Sequence, residues 1–485
     1  MSLSTKGDME QIKHKAVSGA AWNVSLALAN KGVTTLGQFA LAWFLMPKDA
    51  GLANIALSVA AVVTIFSIAG VGDVLLQRGM YKQEAGQGLW LSLAFSCITG
   101  LVLAGIALFH PIFRTENLKG LLWLLAFASI VGFPNTVVAV DLKRVMRFKQ
   151  LASAHFASGA LYTCSTVYLA WLGWGPYALL APLALRQLAD LTGMVAGGAR
   201  FNVAWPDLDI LKKLLGPSLA VSFSSLLTAL QTQAPVLVCG YALGAEATGY
   251  FSWGWALASQ AVFLLAGNLR EVFLAAFANL PAENGRREAA VLKAAWVMTS
   301  LLFVACGTQA LLAKPLIALF LPAKWLPAVP VVIAASFGLL LQGLWVAGTA
   351  YLNACGRYRA LMLISLAQAI LVSVLTAVGA MWHGASGAAA GCGVATLLGG
   401  CACAWPIERD AFIQQAGKWL KPALASFAVW CLLWFASRQT NWLVAPIGAG
   451  LLFAPIAAWL WWVQDPLEFH SIWQSICRQI SGLKA

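Results

Sequence analysis

LWLSLAFSCITGLVLAGIALF, residues 89–109, contains no Asp, Glu, Lys or Arg. A helix rises 1.5 Å per residue, so about 20 such residues cross the hydrocarbon layer of a bilayer. Comparable runs recur along the whole chain. Of its 485 residues, 60% are apolar and 10% are charged. Soluble domains carry about 25% charged residues. That balance excludes a water-soluble domain and a disordered chain. The candidate spans are 18–44, 51–72, 87–110, 119–140, 153–172, 175–198, 213–240, 249–270, 291–313, 328–353, 360–382, 384–406, 419–436 and 442–463. They predict an all-α polytopic membrane protein of about 14 transmembrane helices.

Charge supports this count. The chain has 31 Lys and Arg against 18 Asp and Glu, a formal charge of +13. With the N-terminus placed in the cytoplasm, 23 of the 31 fall in cytoplasmic segments. Six fall on the opposite side, namely Lys48, Arg114, Lys119, Lys314, Lys324 and Arg438, and Lys31 and Arg186 lie within spans. A missed or extra span would invert this bias downstream, and it does not invert. Both termini are therefore expected in the cytoplasm. Basic residues spaced between apolar runs set orientation, so nucleic acid is not an expected partner, and the bilayer is.

The sequence also repeats. Leu45–Met46–Pro47–Lys48–Asp49–Ala50–Gly51 aligns with Leu243–Gly244–Ala245–Glu246–Ala247–Thr248–Gly249. Arg147–Phe148–Lys149 resembles Arg357–Tyr358–Arg359. An even number of spans per half makes the repeat parallel. The expected organisation is a six-helix lobe over 1–198, a cytoplasmic amphipathic linker helix over 199–212, and a second six-helix lobe over 213–406. Two further helices and a cytoplasmic tail follow over 407–485.

Polar residues inside spans face protein or water. In the first span Asn23, Asn30, Thr34 and Gln38 fall within a 90° arc, with Lys31 at its edge. The expectation is the wall of a hydrated lumen, with Lys31 drawing an anion; hydrogen bonding between helices is the competing reading. In the seventh span Ser218, Ser222, Ser225 and Thr232 share a face with Gln233 beside it. Helix packing and lumen lining fit that face equally. Arg186 and Asp190 stand four residues apart in the sixth span and can pair on one face. The pair reads either as an internal ion pair or as a phosphate-binding arginine with its resting partner. Arg270 ends the eighth span, as a boundary cation or a phosphate contact. His155, with no His or acid at ligand spacing, reads as an interfacial residue.

No nucleotide-binding loop, nucleophile elbow or zinc-protease motif occurs. Catalytic residues, cofactors and metal sites are therefore not expected. The ten cysteines sit mostly inside apolar runs, where they behave as small hydrophobes. The first seventeen residues are polar and basic, and no cleavable signal is expected. Trp43, Trp123, Trp171, Trp174 and Trp382 lie at span ends as an aromatic belt. Pro134, Pro182, Pro217 and Pro235 lie within spans and can bend them.

Several short motifs then carry a resemblance. Ser18–Gly19–Ala20–Ala21–Trp22, the run from Phe44 to Gly51, Gly70–Val71–Gly72–Asp73, and Leu76–Gln77–Arg78 look like the start of bacterial polysaccharide flippases. Gly173–Trp174–Gly175–Pro176–Tyr177, Gly249–Tyr250–Phe251 and Lys324–Trp325–Leu326–Pro327 follow in family order. The resemblance implies membership of the superfamily that includes lipid II flippases and multidrug exporters. It implies an inner-membrane protein that moves undecaprenyl-diphosphate-linked oligosaccharides outward by alternating access. It also implies polysaccharide polymerase and glycosyltransferases as partners. The coupling ion, proton or sodium, stays open. A cation-coupled multidrug or small-solute antiporter is the alternative within the same architecture. A membrane-embedded polysaccharide polymerase is a weaker one, because every expected outward loop is too short for a catalytic domain.

Overall fold

The computed structural model describes residues 6–77, 81–109, 118–200, 203–266, 286–404, 409–438 and 444–464, with Phe273 and Phe277. All regular structure among them is helical. The chain divides into two compact units, Met1–Gly249 and Tyr250–Ala485.

The first unit holds α1 (Lys6–Phe44), α2 (Pro47–Val63), α3 (Ile65–Gln77), α4 (Tyr81–Phe109), α5 (Leu118–Val131) and α6 (Phe133–Arg144). It continues with α7 (Phe148–Trp171), α8 (Tyr177–Leu180), α9 (Pro182–Ala196) and α10 (Leu208–Leu243), and ends in the first turn of α11 (Ala245–Ala266). Three of its spans are interrupted, at Thr64, at Gly132 and at Ala181. Pro134 and Pro182 stand in the first turn after the latter two breaks, where a missing N–H costs nothing. Pro217 and Pro235 lie inside the continuous α10. The turn at 173–175 is built on positive φ at Gly173 (79°) and Gly175 (54°), which lets two helices reverse within three residues.

The second unit holds the remainder of α11, α12 (Arg286–Phe320), a 3-10 turn (Ala323–Ala328), α13 (Val329–Gly338), α14 (Gln342–Ala354), α15 (Tyr358–Ala404), α16 (Arg409–Arg438) and α17 (Val444–Gln464). The 47-residue α15 is a hairpin rather than one rod. His383 and Gly384 leave helical geometry, and Gly384 takes φ 61°. Gly379 and Gly391 then press against the carbonyls of Gly387 and Leu375, each on the opposite arm. The two extra helices α16 and α17 pack on α12. Trp430 donates from Nε1 to the Gly307 carbonyl at 3.1 Å, and Trp461 is buried against Trp296 and Phe303.

Eight of the described helices are long and apolar enough to cross a membrane, or nine if the bent pair α13–α14 counts as one span. The expected count of about 14 is not reached by that measure. Part of the reason is local: α2 and α3 have 17 and 13 residues, each short of a span, and the α15 hairpin counts once; α1, α7 and α11, though long enough, are not apolar enough to join the eight.

The expected amphipathic helix over 199–212 does not form. Residues 203–207 run without helix, and α10 starts at Leu208 and continues unbroken to Leu243. Asp207 caps it, its carboxylate accepting from the N–H of Asp209 and of Ile210 at 2.9 and 3.4 Å. The strap is held by α4. Gln87 donates to the Trp205 carbonyl at 2.7 Å and accepts from the Asp207 N–H at 2.8 Å. Trp90 donates to the Ala204 carbonyl at 2.8 Å. A polar backbone segment is thereby satisfied, while the side chains of Val203, Trp205 and Leu208 stay exposed.

The sequence repeat is visible as geometry. The Arg147 and Arg357 N–H groups donate to the Leu142 and Leu352 carbonyls, each at 2.9 Å. Each follows a residue of positive φ, Met146 at 54° and Gly356 at 67°. The paired turns at 45–51 and 243–249 meet each other. A Cβ on Gly51 would lie 1.7 Å from the Ala245 carbonyl oxygen, and one on Gly249 would lie 1.9 Å from that of Pro47. The contact is reciprocal at the repeat offset.

Candidate functional site

The polar arc of α1 divides. Asn30 faces α7: a Cβ on Gly159 would come within 2.5 Å of its Oδ1, which is buried without a hydrogen-bond partner. Gly37, two turns on, meets Thr163 of the same helix. Asn30 is thus packed against α7 without the hydrogen bond between helices that the competing reading called for at its Oδ1. Thr34 donates its hydroxyl back to the Lys31 carbonyl at 3.0 Å, a local bond that a threonine makes within its own helix. Lys31, Thr34 and Gln38 are half-buried. Asn23 belongs to α1, and its side chain lies outside the described residues, as does Arg270.

On α10 the serine face also packs. Ser218 and Ser222 are buried, and a Cβ on Gly70 of α3 would strike the Ser218 carbonyl and the Ser222 hydroxyl. Gln233 accepts from Ser58 of α2 at 2.9 Å, a bond between helices.

The Arg186–Asp190 pairing is replaced by two separate contacts. The Arg186 guanidinium sits over the Tyr162 ring, 5.6 Å from its centroid. Asp190 turns to α7 instead. Its Oδ1 accepts from the Ser158 hydroxyl at 2.6 Å and lies 2.9 Å from Nδ1 of His155. His155 and Ser158 are three residues apart, so both reach one face of α7. The reading of His155 as a lone interfacial residue is thus overturned. Its partner comes from a helix 35 residues away.

This pair lines a cavity of about 500 Å³ inside the first unit. Its walls come from α2, α3, α4, α5, α6, α7 and α9. Of the site residues expected from sequence, Asp190 alone is in the lining; the α1 arc is not. Asp73, Lys143, Asn135 and Gln187 add polar groups that sequence reasoning did not single out. Two of the three helix breaks, at Thr64 and Gly132, border it. The second break has a visible use. Gly132 leaves room for Gln187, which takes Nδ2 of Asn135 on its carbonyl at 3.0 Å and on its side-chain oxygen at 2.7 Å. Interrupted helices beside a polar cavity are the arrangement by which membrane transporters place backbone and side-chain polar groups at depth.

Residues 40–330 match the family model described as polysaccharide biosynthesis protein. The chain belongs to that family. It is 25% identical over 328 residues to the succinoglycan biosynthesis transport protein ExoT of Rhizobium meliloti (strain 1021), a match spanning 66% of this chain and 65% of the relative. The fold is similar to that of a solved structure of lipid II flippase MurJ, described as its inward closed conformation, with a TM-score of 0.74 at 12% identity, over 91% of this chain and 98% of that one. An inward-facing multidrug resistance MATE transporter of the MOP superfamily follows with a TM-score of 0.59 at 14% identity, over 77% and 93%. By family this is a polysaccharide biosynthesis protein, and its fold is that of an all-helical, multi-pass membrane protein.

Proposed function

We propose that this protein is a flippase for undecaprenyl-diphosphate-linked oligosaccharide repeat units, working by alternating access in the bacterial inner membrane and feeding exopolysaccharide export. The observation that carries the reading is the family match over residues 40–330. The relative's name, a succinoglycan transport protein, supports the cargo class. The physical need is plain. A diphosphate bears too much charge to cross about 30 Å of hydrocarbon without a polar path.

In this reading the chain has fourteen spans with both termini in the cytoplasm, as its charge bias suggests. The lobes are 1–198 and 213–406, with 407–485 accessory. Lys31, Gln38, Thr34 and Asn23 on α1, together with Arg186, Gln233 and Arg270, receive the headgroup, and Lys31 and Arg186 hold the diphosphate. Polysaccharide polymerase and glycosyltransferases act downstream and upstream. The antiporter alternative draws on the fold likeness to a multidrug transporter. The family match weighs toward the polysaccharide cargo.

The test is reconstitution into vesicles with a fluorescent undecaprenyl-diphosphate oligosaccharide, read by quenching of the exposed label. Protein-dependent exposure that falls at least about tenfold in Lys31→Ala or Arg186→Ala supports the reading; each lost charge-assisted contact is worth about 1.5–3 kcal/mol. Exposure untouched by both substitutions refutes the site. No exposure, with efflux of small organic cations instead, refutes the cargo.

A further inference from the structure

The cavity in the first unit is separate from the α1 arc and plays no part in holding a headgroup in the reading above. It brings an imidazole and a carboxylate into contact. Asp190 is buried, with 10% of its side chain exposed, whereas the His155 side chain is 49% exposed. One end of the pair is thus at the protein surface and the other is held inside. Ser158, fully buried, fixes the carboxylate oxygen that His155 meets.

We propose that His155 and Asp190 form a proton-binding site, and that its loading and release bias the transport cycle of the flippase read above. The logic is electrostatic. With a proton on the imidazole the pair is an imidazolium–carboxylate contact of zero net charge. Without it, a buried carboxylate faces a neutral ring and carries a net charge of −1. An uncompensated buried charge is strongly disfavoured, so the unloaded cavity must admit water or move a cation toward Asp190. The loaded cavity need not. The two protonation states therefore favour different packings of α7 on α9, which is what a coupling ion requires. The effect reaches α1 directly. Gly159, four residues beyond His155, is where Asn30 of α1 seats.

The surrounding charges fit. α3 brings Asp73 and α6 brings Lys143 to the same cavity. Asp141 of α6 is engaged by the Arg200 N–H at 2.8 Å. On α9, Arg186 lies over Tyr162 of α7. α1 adds no residue to the lining; its Lys31 lies outside it, and its Trp22 ring takes Lys149 of α7 at 4.6 Å. Among the described lining residues α2, α4 and α5 add no charge. Lys143 is the lysine that shares the cavity lining with Asp190. A sodium ion suits this set poorly. Hard cations take several oxygen ligands, and here one carboxylate oxygen is already shared by a hydroxyl donor and a ring nitrogen.

Two measurements on the full-length protein test this. The first is pH-difference infrared spectroscopy in detergent, which needs no transport. Imidazole and carboxyl bands should titrate together in the wild type and vanish in both Asp190→Asn and His155→Gln. Bands unchanged by either substitution overturn the proposal. The second uses the vesicle assay with an imposed gradient of one pH unit, which biases a one-proton cycle by at most about tenfold. Wild-type exposure should accelerate several-fold, the two variants should run at the gradient-free rate, and Asp190→Glu should recover part of the response. A full response in the variants, no response in the wild type, or a response to sodium alone overturns it. Titrating bands in a protein that moves no lipid would refute the flippase reading and leave the proton site standing.

Discussion

The reciprocal glycine contact lends itself to a direct perturbation. Gly51→Ala puts a methyl 1.7 Å from the Ala245 carbonyl oxygen, and Gly249→Ala puts one 1.9 Å from that of Pro47. Carbon and oxygen do not approach closer than about 3.0 Å, so the backbones must part by about 1.3 Å. Neither obstacle is a flexible side chain. Overpacking of this kind costs about 1–3 kcal/mol. If the contact belongs to one transport conformation and not the other, that energy shifts the population about 5- to 150-fold toward the parted form. Ala245 is 6% exposed, so a cysteine placed there in a cysteine-free background reports the parting through its reaction with an impermeant maleimide. Labelling should rise at least about fivefold in either glycine variant. Gly105→Ala, where a Cβ meets nothing within 4 Å, is the control and should leave labelling unchanged. Unaltered labelling in folded Gly51→Ala and Gly249→Ala would refute the idea that this contact opens.

Three other outcomes follow from single contacts. Gln87→Ala removes two of the three bonds that hold the strap, so stability should fall by about 1–3 kcal/mol and proteolysis within 203–207 should accelerate. Asp207→Ala removes the cap of α10 and should cost about 0.5–2 kcal/mol, visible as a lower midpoint of thermal unfolding in detergent. Trp430→Phe keeps the edge-to-face contact with Phe337 but loses the bond to the Gly307 carbonyl, costing about 0.5–1.5 kcal/mol by the same measurement.

What the sequence disclosed depended on how local the cause was. Apolar run length and the spacing of Lys and Arg are local, and they were enough for an all-helical membrane fold. The turn motifs were legible because each repeats within the chain. The breaks at Gly132 and Ala181 were marked by Pro134 and Pro182, whereas Pro217 and Pro235 bear the same signal inside an intact helix. Proline permits a break; neighbouring helices decide whether it happens. Asp190 stood out as an acid at membrane depth, yet its partner was assigned to Arg186 because i, i+4 spacing is visible on one helix. His155 is reached through packing of α7 on α9, which no spacing encodes. An unpaired His and a buried Asp in spans of one lobe were the available clue. The arc on α1 shows the same limit: periodicity groups Asn30 with Gln38, but only α7 tells that Asn30 is covered.

The strap between α9 and α10 is gripped through its backbone alone. Gln87 and Trp90 read carbonyls and an N–H at 204, 205 and 207, and no side chain of the strap takes part. Identity along the strap is therefore free to drift, while position 87 is not. Relatives of this protein should differ widely over 203–206 and keep an amide at 87, so a residue that fixes the path into α10 is spelled 118 positions before the Trp205 carbonyl it holds.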